Sequence, residues 1–311
     1  MNDQSSKSGN PMFSDSLMSA DDALKFLIDS ARVSEHTETT SLDESIGRVL
    51  SEDIHSKINV PGFDNSAMDG YTIALDEKNL NSTNQTFSVV DRIAAGSTGN
   101  ELKKGNAARI FTGAPIPKGA NTVVMQEECQ ASEDGSEITI RRSIDLNENI
   151  RPTGNDILKN DVILKTGKKI EPEDISLAAS VGIAELHVFK RLKVGVFFTG
   201  DELVEPGNSL TAGKIYNSNR YALVALLKNA GCEVLNLGNI KDNFDSTCGA
   251  LEKLSKGCDL IMTTGGVSVG EEDHVKPAVE KLGSLNLWKI KMKPGKPLAY
   301  GQVRNIPFIG L

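Results

Sequence analysis

The chain has 311 residues, 39% of them hydrophobic and 24% charged, with a formal net charge of -8. That length allows two or three ordinary domains and the mix is globular. The acidic balance, without a large basic cluster, argues against a nucleic-acid partner. No apolar run approaches the ~20 residues that a membrane span needs. The leading MNDQSSKSGNPMFSDS lacks the basic start and apolar core of a signal peptide, so it reads as a disordered lead to a cytoplasmic protein. Cys129, Cys232, Cys248 and Cys258 form no C-x-x-C pair, and the four histidines are equally scattered. This points away from a zinc site or a disulfide framework and fits a reducing compartment.

The first ordered piece reads as a helix. Ser19 and Asp22 resemble a capping box, and Ala23, Leu24, Leu27 and Ile28 make one apolar face. A second helix is predicted from Ser41, with Glu44 three residues on and Leu42, Ile46, Val49 and Leu50 as its apolar side. The segment 60–73, VPGFDNSAMDGYTI, is crowded with turn formers and oxygen donors, and Asp69-Gly70 is a strong tight-turn signal. An isolated Asp-Gly is usually a hairpin, but the density of Asp64, Asn65, Ser66 and Asp69 also suits binding.

Residues 72–140 look β-rich, with short runs at 86–90, 107–111, 122–126 and 137–140 separated by glycine and proline. A small barrel or sandwich is expected there. Thr112-Gly113-Ala114-Pro115 follows a strand and reads as a turn or as a loop presenting backbone and hydroxyl. The stretch 151–156, RPTGND, is a further polar loop. Residues 173–181 return to a helical pattern with Gly182 as the stop, and this helix is expected to join the N-terminal ones.

From Arg191 strands and helices alternate. Strands are predicted at 194–198, 233–237, 259–263 and 287–290, and helices at 219–230, 244–255 and 275–282. Such alternation implies a parallel sheet with helices on both faces, and ligands then gather at the carboxyl ends of the strands. Glu202, Asp242 and Asp273 each follow a different strand. Asn217-Ser218-Asn219-Arg220 precedes a helix whose N-cap could be Ser218 or Asn219, and capping accounts for the segment as well as an edge of a pterin or nucleotide does. Gly265 and Gly266 open a strand–turn–helix loop that also holds Ser268, the layout of an anion site. Three acids, Glu271, Glu272 and Asp273, repel a bare anion, so a cation between ligand oxyanion and carboxylate is the better binding reading, and on the glycines alone an ordinary capped βα turn stands level with it. The late run 289–297, KIKMKPGKP, is the densest basic stretch, and Lys293 and Lys296 suit anion contact.

Six segments, PGFDNSAMDGY (61–71), RIFTGAPIP (109–117), TGDEL (199–203), IYNSNR (215–220), TTGGVSVGEEDHVK (263–276) and MKPGKPLAYG (292–301), together resemble the MoeA family of molybdopterin molybdenumtransferases. Related members are the E domains of gephyrin and of the plant molybdenum insertase. The resemblance implies an α/β multidomain fold. A helical linker domain would comprise 15–56 and 157–185, a β-rich inserted domain 57–156, and a parallel-sheet, MogA-like molybdopterin-binding domain 186–311. It implies Mg²⁺-dependent insertion of molybdate into adenylylated molybdopterin with release of AMP. The family is a homodimer, with its site between the sheet domain of one subunit and the β-rich domain of the other.

Carried over by motif, Asp69, Thr112, Glu202 and Asp273 would be catalytic, Asp242 would join Glu202 and Asp273 at the metal, and Asp156, Lys289 and Lys293 would meet the substrate. A molybdopterin adenylyltransferase would be the upstream partner. The sequence stops at IPFIGL (306–311), inside a strand-like run, where the family continues into a Pro-Gly-Asn-Pro loop, a helix and a C-terminal β domain. On this resemblance the chain is a C-terminally truncated form. Competing readings are the adenylyltransferase itself, a scaffold of the gephyrin type and a plain nucleotide-binding module. The four acids Asp69, Glu202, Asp242 and Asp273 favour an enzyme over a scaffold.

Overall fold

The computed structural model describes residues 18–79, 82–266, 273–291 and 297–311. They divide into two compact units, Thr39–Val188 and a second formed by residues up to Glu38 together with Phe189–Leu311.

Helix α1 (Ala20–Ser30) starts where the capping pattern places it: Ser19 Oγ accepts the Asp22 amide at 3.1 Å. Its apolar side goes to late residues. Ala23 is buried with Ile290 and Leu298, Leu27 packs beside them, and Phe26 meets Tyr300 edge-on at 5.5 Å. The expected pairing of this helix with the later helical segment is therefore replaced by packing within the second unit. The second predicted helix does not form either. Only a 3-10 turn, Leu42–Glu44, appears, and then Gly47 takes φ 72°, a conformation that ends a helix at little cost. Beyond it Val49 and Leu50 bridge to Lys169 and Val188. Main-chain pairing over 47–50 wins because Leu50, fully buried, joins Ile54, Leu164, Ile170 and Leu186 in one core.

The β-rich unit is organised by one six-stranded sheet. Its strands are β1 (Gly70–Ile73), β2 (Gln85–Ile93), β3 (Asn106–Ile110), β4 (Thr122–Met125), β5 (Cys129–Ala131) and β6 (Glu137–Ile140). The order is β4-β1-β3-β2-β6-β5, with β2 and β3 parallel and the other pairs antiparallel. Successive residues point to opposite faces. Ala107 and Val124 enter one core, while their neighbours Ala108 and Val123 enter another. Apolar side chains thus cover both faces. Helix α2 (Pro172–Ser180) starts at a proline and ends before Gly182 at φ 79°, and its Ala178 packs on the Leu50 core.

The second unit carries the βα alternation. Its sheet holds β7 (Lys193–Phe198), β8 (Glu233–Asn239), β9 (Leu260–Thr264), β10 (Gly283–Lys289), β11 (Pro297–Val303) and β12 (Ile306–Gly310), in the order β8-β7-β9-β12-β11-β10. β8, β7, β9 and β12 run parallel, and β10 and β11 are antiparallel. The predicted strand at 287–290 is thus the end of an edge strand reached directly from the preceding helix, and the two-residue turn Arg304-Asn305 joins the next strand, β11, to β12. Helices α4 (Phe244–Leu254) and α5 (Val275–Leu282) cover one face over Phe197, Ile261, Ala299 and Phe308. Helix α3 (Ser218–Asn229) covers Val194, Val196 and Phe198 on the other. Among the described residues no helix is long and apolar enough to cross a membrane.

Phe308 is fully buried where β12 meets α4 and α5. Phe308→Ala leaves a cavity there and should cost about 3–5 kcal/mol, read as a drop in the urea midpoint by circular dichroism. Leu226→Ala, on a side chain 67% exposed, should stay within about 0.5 kcal/mol of the parent.

Candidate active site

In the β-rich unit three polar segments converge before β1 and after β3. The 61–69 loop is stitched to the 112–116 loop by main-chain bonds: Ser66 N donates to Ala114 O at 3.0 Å, Gly113 N to Ser66 O at 2.8 Å and Ile116 N to Asp64 O at 2.9 Å. It is also tied to residues 149–156, since Ala67 N donates to Asn149 O at 2.8 Å. On this framework Asp69 Oδ1 accepts both the amide and the hydroxyl of Thr112, at 2.8 and 2.9 Å. Its Oδ2 takes no hydrogen bond among the described residues. The Thr112 amide, then the Thr112 hydroxyl, and less strongly the Arg109 guanidinium hold the Asp69 carboxyl below the usual carboxylate range. Asp69 is thereby a fixed negative charge and acceptor rather than a proton donor.

Arg109 braces the turn from behind. Nη1 donates to Gly70 O at 3.0 Å, Nη2 binds the Gln126 side chain, and the Gln126 amide returns to Asp69 O at 3.1 Å. The guanidinium lies between the rings of Tyr71 (5.1 Å) and Phe111 (4.9 Å). Gly70 is required by close approach: a Cβ there would overlap the carbonyl of Val124 on β4. Asp156 lies on the exposed 151–156 loop and accepts from Asn155 Nδ2 at 2.9 Å.

In the second unit the polar residues sit at the carboxyl ends of the parallel strands. After β7, Thr199 is buried and its hydroxyl donates to Asp242 Oδ1 at 2.8 Å, which ties the β7 loop to the loop after β8. Glu202 folds its carboxylate over Gly200, where a Cβ would lie 2.6 Å from Oε2. Asp242 and Glu202 therefore meet consecutive residues of one loop. After β9, Gly265 and Gly266 take φ 86° and 68°, and a Cβ on Gly266 would lie 2.5 Å from Val275 Cγ2. The glycines press the turn against the start of α5 and against Thr199.

Asp273 caps α5 as its position suggests, with Oδ1 accepting from the amides of Val275 (3.1 Å) and Lys276 (3.5 Å). These leading amides are occupied by the chain's own carboxylate, so the helix start does not offer them to an anion. Asn217, rather than Ser218 or Asn219, is the N-cap of α3. It is buried, accepts from Arg220 N at 3.1 Å and donates to Asn239 Oδ1 at 2.5 Å, which commits its amide to structure. Ser218 is exposed beside it. Lys289 ends β10, in register with Pro297. Ser268, Lys293 and Lys296 lie outside the described residues.

Among the described residues no group of three or more His, Cys, Asp or Glu side chains is gathered as a metal site. Asp242 and Asp273 instead have separate local partners, and the Glu202 carboxylate lies over Gly200. Three residues of this architecture were not singled out from the sequence: Thr199, Arg109 and Gln126. Thr199 and Asp242 are 43 positions apart, as are Asp69 and Thr112, so no local spacing signals either pair.

The lowered Asp69 pKa has a definite sign. Its stabilisation is present above the ordinary carboxylate value and fades as pH falls through the lowered value. Thr112→Val removes the hydroxyl and keeps the amide. It should raise the Asp69 titration midpoint, followed by carboxyl carbon NMR, and its stability deficit should be largest at neutral pH and shrink in acid.

Comparison with known proteins places this geometry in a family. The MoeA N-terminal region (domains I and II) matches residues 18–182, and a probable molybdopterin-binding domain matches residues 195–311. The molybdopterin molybdenumtransferase of Haemophilus influenzae is 43% identical over 95% of this chain and 72% of its own length. That of Bacillus subtilis is 37% identical over 88% of this chain and 65% of its own length. The chain thus spans about two thirds of these curated relatives. Two crystal structures of the molybdopterin biosynthesis MoeA protein of Pyrococcus horikoshii superpose with TM-scores of 0.81 and 0.80, each at 30% identity over 95% of this chain and 74% of the other. The chain belongs to the MoeA family.

Proposed function

We propose that this protein is a molybdopterin molybdenumtransferase of molybdenum cofactor biosynthesis, taking adenylylated molybdopterin and molybdate and releasing AMP. Its family membership and the names of its relatives support the reading. The observation that carries it is the Asp69–Thr112 pair, in which two motif segments distant in sequence make one carboxylate with a bound and an unbound oxygen.

The reading assigns the protein positioning and charge rather than covalent chemistry, because the substrate brings its own sulfurs. Asp69 and Thr112 would orient the substrate from the β-rich unit, with Asp156 nearby on the 151–156 loop. Thr199 sets the carboxylate of Asp242. Gly265 and Gly266 let the backbone after β9 approach a ligand without a Cβ in the way.

The reading also includes Mg²⁺. Magnesium is commonly held by one or two carboxylates together with substrate phosphates, and Asp242 and Glu202, whose carboxylates approach the consecutive residues Thr199 and Gly200, fit that donor set. When bound, the ion would neutralise the pyrophosphate charge. Asp273 has one oxygen on α5 and would serve the site from there. A homodimer and an upstream adenylyltransferase belong to the same reading.

The test is turnover. The purified protein is mixed with adenylylated molybdopterin, molybdate and Mg²⁺, and AMP is followed by chromatography. AMP release should stop on chelation of Mg²⁺ and fall roughly a hundredfold in Asp69→Ala, the scale seen when one preorganised polar group is removed from a charged transition state. A parent protein that releases no AMP would overturn the proposal.

A further inference from the structure

The Asp69–Thr112 arrangement occurs a second time. Five residues earlier, Asp64 Oδ1 accepts the amide of Thr153 at 2.7 Å and its hydroxyl at 2.8 Å. The acceptor is again an exposed aspartate of the 61–69 loop, and the donor is again one threonine of a distant loop, here 89 positions away. The loop that Asp64 holds is the one that carries Asp156.

The rest of that loop hangs from the same segment through neutral main-chain bonds. Gly154 N donates to Pro61 O at 2.9 Å, Asp156 N to Val60 O at 2.9 Å and Ile157 N to Val60 O at 3.1 Å. Gly154 turns the chain at φ 77° between these anchors. Among them only Asp64 is a charged side chain, and a carboxylate accepting from an amide and a hydroxyl is stronger than the neutral bonds beside it. Asp64 itself has both contacts on one threonine and none on Asp156.

We infer that Asp64 is a positioning residue: through Thr153 it fixes the 151–156 loop and so sets where Asp156 presents its carboxylate to the substrate. This rests on the proposed transferase reading for the role of Asp156, but the mechanical part does not. A group displaced by about 1 Å can cost on the order of a hundredfold in rate, so loss of the anchor should be felt through Asp156 alone.

The experiment has two arms. In the first, amide hydrogen exchange is followed in the intact protein. Asp64→Ala should speed exchange of the Thr153 amide more than roughly tenfold, while Asp64→Asn, which retains an acceptor oxygen, should restore most of the protection. Unchanged exchange in Asp64→Ala would overturn the anchor, whatever the protein's activity. In the second, AMP release is measured for Asp64→Ala, Asp156→Ala and the double variant. Asp64→Ala should lower kcat/KM by about tenfold or more in the parent and have little further effect in the Asp156→Ala background. Equal losses in both backgrounds would overturn action through Asp156. A parent without AMP release would defeat the transferase reading and leave the exchange arm to decide the anchor.

Discussion

The β-rich unit depends on a carboxylate oxygen that collects two donors from one threonine. Such a contact fixes a loop in both distance and orientation, because amide and hydroxyl leave the same residue in different directions. Asp69 uses it on Thr112 and Asp64 on Thr153, and both aspartates sit on the loop before β1. Since β1 is hydrogen-bonded on both sides, to β3 and β4, that loop inherits its position from an interior strand of the sheet. Polar precision at the surface is thus borrowed from an apolar layer beneath it, in which Ala107, Ala108, Val123 and Val124 alternate between two cores.

The other unit reaches a similar end with different means. Four parallel strands align their carboxyl ends, and the loops that follow two of them, β7 and β8, are linked by one buried hydroxyl, that of Thr199. Glycine supplies the rest. At Gly266 a side chain would meet Val275 and Thr199 together, so the turn, the strand end and the helix start close on one another only because nothing projects from that carbon. The acids around this corner are not massed. Asp242 answers to Thr199 and Asp273 to α5, and among the described residues no three carboxylates gather at one point, where they would repel one another.

Much of the second unit was readable in the sequence. Apolar runs of strand length separated by amphipathic helices leave few alternatives, and the predicted helices at 219–230, 244–255 and 275–282 form within a residue of their expected ends. Where reading failed, a long-range pairing overrode a local preference. The apolar spacing at Leu42, Ile46, Val49 and Leu50 suits a helix, yet Leu50 is worth more in the core with Leu164 and Leu186, and Gly47 lets the chain turn toward it. Asn217 is the cap of α3, and its buried amide is satisfied by Asn239, which β8 places beside it. In the candidate site, distinctive segments marked out residues such as Asp69 and Thr112, whereas those that hold them, such as Thr199 and Arg109, carry no local signature. Their partners are defined only by the fold.

The placement of α1 has a consequence for how the chain is made. The helix is among the earliest described segments, yet its apolar face is covered by Ile290 and Leu298, and the whole continuous unit Thr39–Val188 lies between them in sequence. During synthesis from the N-terminus that intervening unit has every residue it needs before α1 has its partner. The nascent chain therefore carries a helix that waits, with Ala23, Phe26 and Leu27 uncovered, and closes its long loop late. The cost of that closure grows only slowly with the length of chain enclosed.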